Sequence, residues 1–148
     1  MMNRQGASLV ELIMVLGVMG IIAAMAGESL VAMVSRYQER AVTAELAAEL
    51  RAARVLAVEK REKVRVVFEP GTSGIQTRLG SAAGRLLRQY NFRKSGVVVE
   101  RLSRGSTITF YPSGRSASPT TITLRNGRQE RSQLTVSIIG RVTIKGKR

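Results

Sequence analysis

Residues 6–26 read GASLVELIMVLGVMGIIAAMA, and Glu11 is the only charge in the twenty residues from Ala7 to Ala26. A helix of that length rises about 30 Å, the thickness of a bilayer core. Leu9, Leu12, Ile13, Leu16, Val18, Ile21 and Ile22 put apolar groups around its whole circumference. That pattern marks an anchor or a signal, because a core helix is apolar on one face only.

Two kinds of processing fit the stretch. In the first, Arg4 is a charged leader, Leu12–Ile22 an apolar run and Ala24-Met25-Ala26 a small-residue site for ordinary signal peptidase, which would release a secreted basic protein. Glu11 weighs against it, since a carboxylate near the centre of an apolar span costs on the order of 2–3 kcal/mol. The second rests on Gly6-Ala7-Ser8-Leu9-Val10-Glu11, a Gly followed by an apolar helix with Glu at its fifth position. This resembles the type IV prepilin signal. The resemblance implies cleavage by prepilin peptidase after Gly6, methylation of the new N-terminus at Ala7, and retention of the apolar helix. It also gives Glu11 a role in filament assembly, pairing with the N-terminal amine of a neighbouring subunit. The family usually begins its mature chain with Phe, where this chain has Ala7.

After Gly27 the pattern becomes amphipathic. Val42, Leu46, Leu50, Ala53 and Ala57 recur at steps of three and four, with Glu39, Arg40, Glu45, Glu49 and Arg54 between them. The helix is expected to run to about Arg61, and its stripe needs a sheet to cover it. From Val64 onward the period shortens to two. Strand-like runs occur at Val64–Phe68, Arg85–Phe92, Val97–Leu102, Thr107–Tyr111, Thr121–Leu124, Leu134–Ile139 and Val142–Ile144, with Gly71–Gly84 read as a long loop and Asn126-Gly127 as a hairpin turn. The expected fold is α+β: a long N-terminal helix, membrane-spanning in its first half, packed on an antiparallel sheet of roughly six strands. The expected segments are a leader at 1–6, a membrane or filament-core helix at 7–27, its amphipathic continuation at 28–62 and a β-rich basic head at 63–148.

Residues 1–70 carry 9 Lys or Arg against 8 Glu, and residues 71–148 carry 15 against 2. A one-signed head attracts anionic partners: nucleic acid, lipid headgroups or acidic protein. His, Cys and Asp are absent, which removes the usual general bases, most metal ligands and every nucleophile–His arrangement. The chain therefore reads as no enzyme, with no cofactor and no metal. Beyond residue 70 only Glu100 and Glu130 are carboxylates, too few for a calcium site.

Leu50-Arg51-Ala52-Ala53-Arg54 in the helix, Phe110-Tyr111-Pro112-Ser113-Gly114 and the late Gly140-Arg141-Val142 resemble the FimT/GspH family of minor pilins and type II secretion minor pseudopilins. The resemblance implies a pilin-like fold, partners among other pilins through the N-terminal helix, prepilin peptidase and membrane lipid. It places the leader in the cytoplasm and the head outside the bacterial inner membrane, incorporated into a pilus or pseudopilus near its tip. FimT-type pilins are associated with DNA uptake through a Gly-Arg-x-Arg signature. Here Thr143 stands at the second Arg position, while Lys145, Lys147 and Arg148 follow, and Arg125, Arg128 and Arg131 surround the expected hairpin. These six, with Arg141, are the candidate residues for DNA binding without sequence preference. Arg51 and Arg54 are expected to be muted by nearby Glu45 and Glu49, and Tyr90, Phe92, Phe110 and Tyr111 to be core.

Overall fold

No proline interrupts the chain before residue 70, and alanine and leucine dominate residues 41–57, so one helix, α1 (Leu9–Glu59), forms through both the apolar and the amphipathic segments. It ends two residues before the expected Arg61, which instead takes a left-handed φ of 51°. The computed structural model describes residues 8–69, 71–81 and 83–145, without the side chains of residues 25, 26, 28 and 29. The leader with Gly6, the cleavage partner Ala7, and Lys147 and Arg148 lie outside the described residues.

The chain divides into two compact units, Met1–Val34 and Ser35–Arg148. In the first, Leu9, Leu12, Ile13, Leu16, Val18 and Ile22 are all exposed, each at more than half of its full area. Among the described residues no helix is long and apolar enough to cross a membrane. The described side chains of the apolar run stop at Ala24, so the expected span from Ala7 to Ala26 extends past them at both ends.

The second unit corrects the expectation of a single sheet. Eight strands form two four-stranded antiparallel sheets. Sheet A has the order β3 (Leu86–Asn91), β2 (Gly74–Leu79), β1 (Val64–Phe68), β5 (Thr107–Phe110). Sheet B has the order β4 (Val98–Leu102), β6 (Thr120–Arg125), β7 (Arg131–Val136), β8 (Val142–Lys145). Strand β2 occupies the stretch read as a loop. Its inward positions are Ile75 and Thr77, and a buried threonine gives no hydrophobic signal in sequence. Strand β7 starts three residues earlier than expected because it pairs with β6 from Arg125↔Arg131 onward. Ile138 and Ile139, read as strand, are left exposed in the turn before β8.

Helix α1 joins the two sheets through three stripes. Val42, Leu46, Leu50, Ala53 and Ala57 are buried in the middle, at the spacing the sequence shows. On one flank Glu39 accepts from Asn126 Nδ2 at 2.7 Å, Thr43 meets Ser132 Oγ at 3.3 Å, and Arg51 donates to the Val142 carbonyl at 3.4 Å, all on sheet B or its turns. On the other flank Glu45 accepts from the Tyr90 hydroxyl and Glu49 from Arg88, both on β3. Burial and the Glu45 carboxylate push the Tyr90 phenol well above its ordinary range, so the proton stays on the hydroxyl that donates. Glu45 and Glu49 thus serve β3, which corrects the expectation that they offset Arg51 and Arg54.

Arg54 ties three distant segments together. Its Nε donates to the Gly114 carbonyl at 2.8 Å, and the turn at Gly140 closes over the same side chain. Gly114 and Gly140 both take φ of +75°, and a Cβ at Gly140 would stand 2.1 Å from the Gly114 oxygen and 2.9 Å from Arg54 Nε. Only glycine fits there. Gly140→Ala should lower unfolding free energy by about 2 kcal/mol or more in urea titrations. Gly127→Ala, where a Cβ meets nothing within 4 Å, should stay within about 0.5 kcal/mol; equal effects at the two positions would contradict the tight approach.

Candidate functional site

Glu11 stands in the first turn of α1. The Ser8 carbonyl accepts the Leu12 N–H at 3.1 Å, which makes Ser8 the N-cap and puts Glu11 three residues on, the spacing of a capping box. A carboxylate there faces the positive end of the helix dipole, which lowers its cost before any partner is added. Around it Leu9, Val10, Leu12 and Ile13 are exposed.

Sheet alternation decides where the basic candidates fall. Ile122, Leu124, Leu134, Val136 and Val142 are buried, so the alternate residues of β6, β7 and β8 lie on the sheet face away from α1. That outer face carries Arg125 opposite Arg131, Thr123 opposite Gln133, Gln133 opposite Lys145, and Thr121 opposite Thr135 opposite Thr143. Arg101 on β4 stands across from Thr123. Glu100 accepts two hydrogen bonds from Arg131 at 2.8 and 2.7 Å, and this pairing holds its carboxyl below the usual glutamate range. Glu100, Arg101, Thr123, Arg131 and Gln133 line a shallow cavity of about 340 Å³.

The candidate residues therefore do not form one patch. Arg125, Arg131 and Lys145 share the outer face of sheet B, and Arg128 projects from the adjoining hairpin turn. Arg141 lies in the β7–β8 turn at the opposite end of the strands, beside the residues that Arg51 and Arg54 reach. Sequence proximity of Arg141 to Lys145 concealed that separation, which one strand's length creates. Phe92 and Phe110 are buried and Tyr90 packs against the core, while Tyr111 keeps 36% of its area exposed, with Lys63 Nζ 5.4 Å from its ring centroid.

A groove of about 550 Å³, which no motif marks, lies beside the second half of α1. Arg36, Glu39, Arg40 and Thr43 line it from the helix, with Ser132, Ile144 and Lys145 from sheet B. Its lining carboxylate is tied down: Glu39 is 6% exposed, and Asn126 Nδ2 donates to both Glu39 and Glu130. Asn126 Oδ1 in turn accepts the N–H groups of Arg128 and Glu130, so one turn residue shapes both the hairpin and the groove. Among the described residues no group of three or more His, Cys, Asp or Glu could hold a metal ion.

Comparison with known proteins agrees with this architecture. The chain is similar in structure to the type IV minor pilin FimU of Pseudomonas aeruginosa, with a TM-score of 0.64 and 20% identity, covering 75% of this chain and 90% of that one. It is likewise similar to the minor pseudopilin EpsH from the type 2 secretion system of Vibrio cholerae, with a TM-score of 0.58 and 13% identity over 72% of this chain and 95% of that one. At such identities the likeness establishes the fold. No curated protein matches in sequence. The sequence model of the family described as type II transport protein GspH matches residues 42–140, from the first buried residue of the α1 stripe to the glycine that closes over Arg54. The chain belongs to the GspH family.

Proposed function

We propose that the chain is a non-catalytic minor pilin or pseudopilin. Prepilin peptidase cuts it after Gly6, its apolar helix holds it in the inner membrane, and the same helix later packs among other pilins in a filament, near the tip. The observation that carries this reading is the first half of α1: a run of apolar side chains exposed on all sides, with one carboxylate, Glu11, in its first turn. An isolated chain has nothing to cover that surface, and both a bilayer and a bundle of like helices would. In the bundle Glu11 meets the N-terminal amine of a neighbour, which offsets the cost of burying it. Intact-mass measurement of membrane-extracted protein should give a chain starting at Ala7, one methyl group heavier. A soluble chain starting at Gly27 would favour the secreted alternative and overturn the anchor.

A second reading, contact with DNA, is favoured by one specific arrangement. Arg101, Arg125, Arg131 and Lys145 lie among Thr and Gln side chains on one flat face of sheet B, with Glu100 the acidic residue paired there to Arg131. Such a face meets phosphates and carries no base-reading geometry. Full-length protein in neutral detergent should bind two unrelated duplexes with equal affinity. Replacing Arg125 and Lys145 by Gln should flatten the plot of log affinity against log salt by about 1.8, about 0.9 for each lost phosphate contact, whereas Arg141→Gln should leave the slope unchanged. No binding at low salt, or an unchanged slope in the double variant, would remove this reading and leave the charge to protein contacts.

A further inference from the structure

The groove between α1 and β8 carries cationic groups at its rim, over a lining of aliphatic stems and Ile144 with Glu39, Thr43 and Ser132. Arg36, Arg40 and Lys145 line it against a single lining carboxylate, Glu39, which is buried and held by Asn126. Arg36 is 3.8 Å from Glu130, whereas Arg40 and Lys145 have no acidic partner among the described residues. The Thr43 hydroxyl donates to the Glu39 carbonyl at 2.7 Å, which leaves the Ser132 hydroxyl, 3.3 Å from it, as the one hydroxyl donor among the lining residues. The Arg40 guanidinium, the Lys145 ammonium and the Ser132 hydroxyl around a concave surface fit a phosphate monoanion.

The position of the groove along the chain selects the source of that phosphate. Arg36 follows Leu30, Val31, Met33 and Val34, all exposed, which resume the apolar pattern after Gly27-Glu28-Ser29. In the sequence Arg36 comes 29 residues after Ala7; an ideal helix of that length would rise about 43 Å, and a bilayer with its headgroups is about 40–45 Å thick. Tyr37, 75% exposed, sits beside Arg36, and tyrosine is the residue type that settles at the level of lipid headgroups. We propose that this groove binds the headgroup phosphate of an anionic phospholipid, holding the head of the membrane-stored subunit against the bilayer before it enters a filament. The proposal rests on the anchor reading above. Its charge is distinct from the outer face of sheet B, where the DNA reading lies, although Lys145 stands at the edge of both.

A basic side chain near an anionic lipid surface strengthens the contact roughly fivefold. Full-length protein is reconstituted into nanodiscs of phosphatidylcholine alone, or with one part in three phosphatidylglycerol, and amide hydrogen exchange is followed. Amides of residues 36–43 and of the edge strand β8 should exchange several-fold more slowly in the anionic discs, and those of β2 on the other sheet should be unchanged. The protection should disappear in 0.5 M salt, on the scale of screening expected for exposed charges, and in the Arg40→Gln, Lys145→Gln double variant. Equal exchange in both discs would overturn the proposal, as would protection that survives the double variant. Protection by added duplex DNA in phosphatidylcholine discs, with none from phosphatidylglycerol, would reassign the groove to nucleic acid and overturn it too. Failure of the protein to co-elute with discs of either kind would overturn the anchor reading and this proposal with it, whereas co-elution without protection overturns the groove alone.

Discussion

Leu46 and Leu50 lose all of their exposure against the two sheets, and the rest of the head depends on that burial. Each contributes about 1.5–3 kcal/mol by leaving water, against roughly 1 kcal/mol for a typical hydrogen bond on the flanks. The central stripe therefore supplies most of the binding between helix and sheets. The flanks decide its rotation: Glu39, Thr43 and Arg51 can reach only sheet B, and Glu45 and Glu49 only β3. A helix turned by one residue would bring its apolar stripe out of the core and leave both flanks without partners.

That constraint gives the chain two surfaces with different obligations. The second half of α1 is packed against its own head, and the large apolar side chains of the first half are exposed among the described residues. Each of its large apolar residues from Leu9 to Ile22 keeps about half or more of its area exposed. One helix thus carries a stripe that folds the head at one end and exposed apolar side chains at the other. The basic groups follow a similar division. Arg54 is absorbed by the fold, bound to Gly114 under the turn at Gly140, while Arg101, Lys145 and Arg40 are exposed.

Much of this was legible in the sequence because it is periodic or local. The step of three and four through Val42, Leu46, Leu50, Ala53 and Ala57 names the buried stripe correctly, and Asn126-Gly127 marks the hairpin. What escaped reading is long-range. Strand β2 hides behind Thr77, buried yet polar; the division into two sheets depends on which distant strands meet; and β7 takes its start from pairing with β6 rather than from its own composition. Arg54 looks like a surface cation muted by neighbouring glutamates until Gly114 and Gly140 are seen beside it. The groove needs Arg40 and Lys145 together, and only the fold brings them together.

The central claim is that the apolar half of α1 is covered by other subunits in a filament while the head stays accessible. The chain has no cysteine, so a single introduced thiol reports on one place. In filaments sheared from cells, a thiol at Leu16→Cys should stay unlabelled by a water-soluble maleimide, and one at Arg128→Cys should react readily. Labelling of Leu16→Cys as fast as Arg128→Cys in intact filaments would contradict the account.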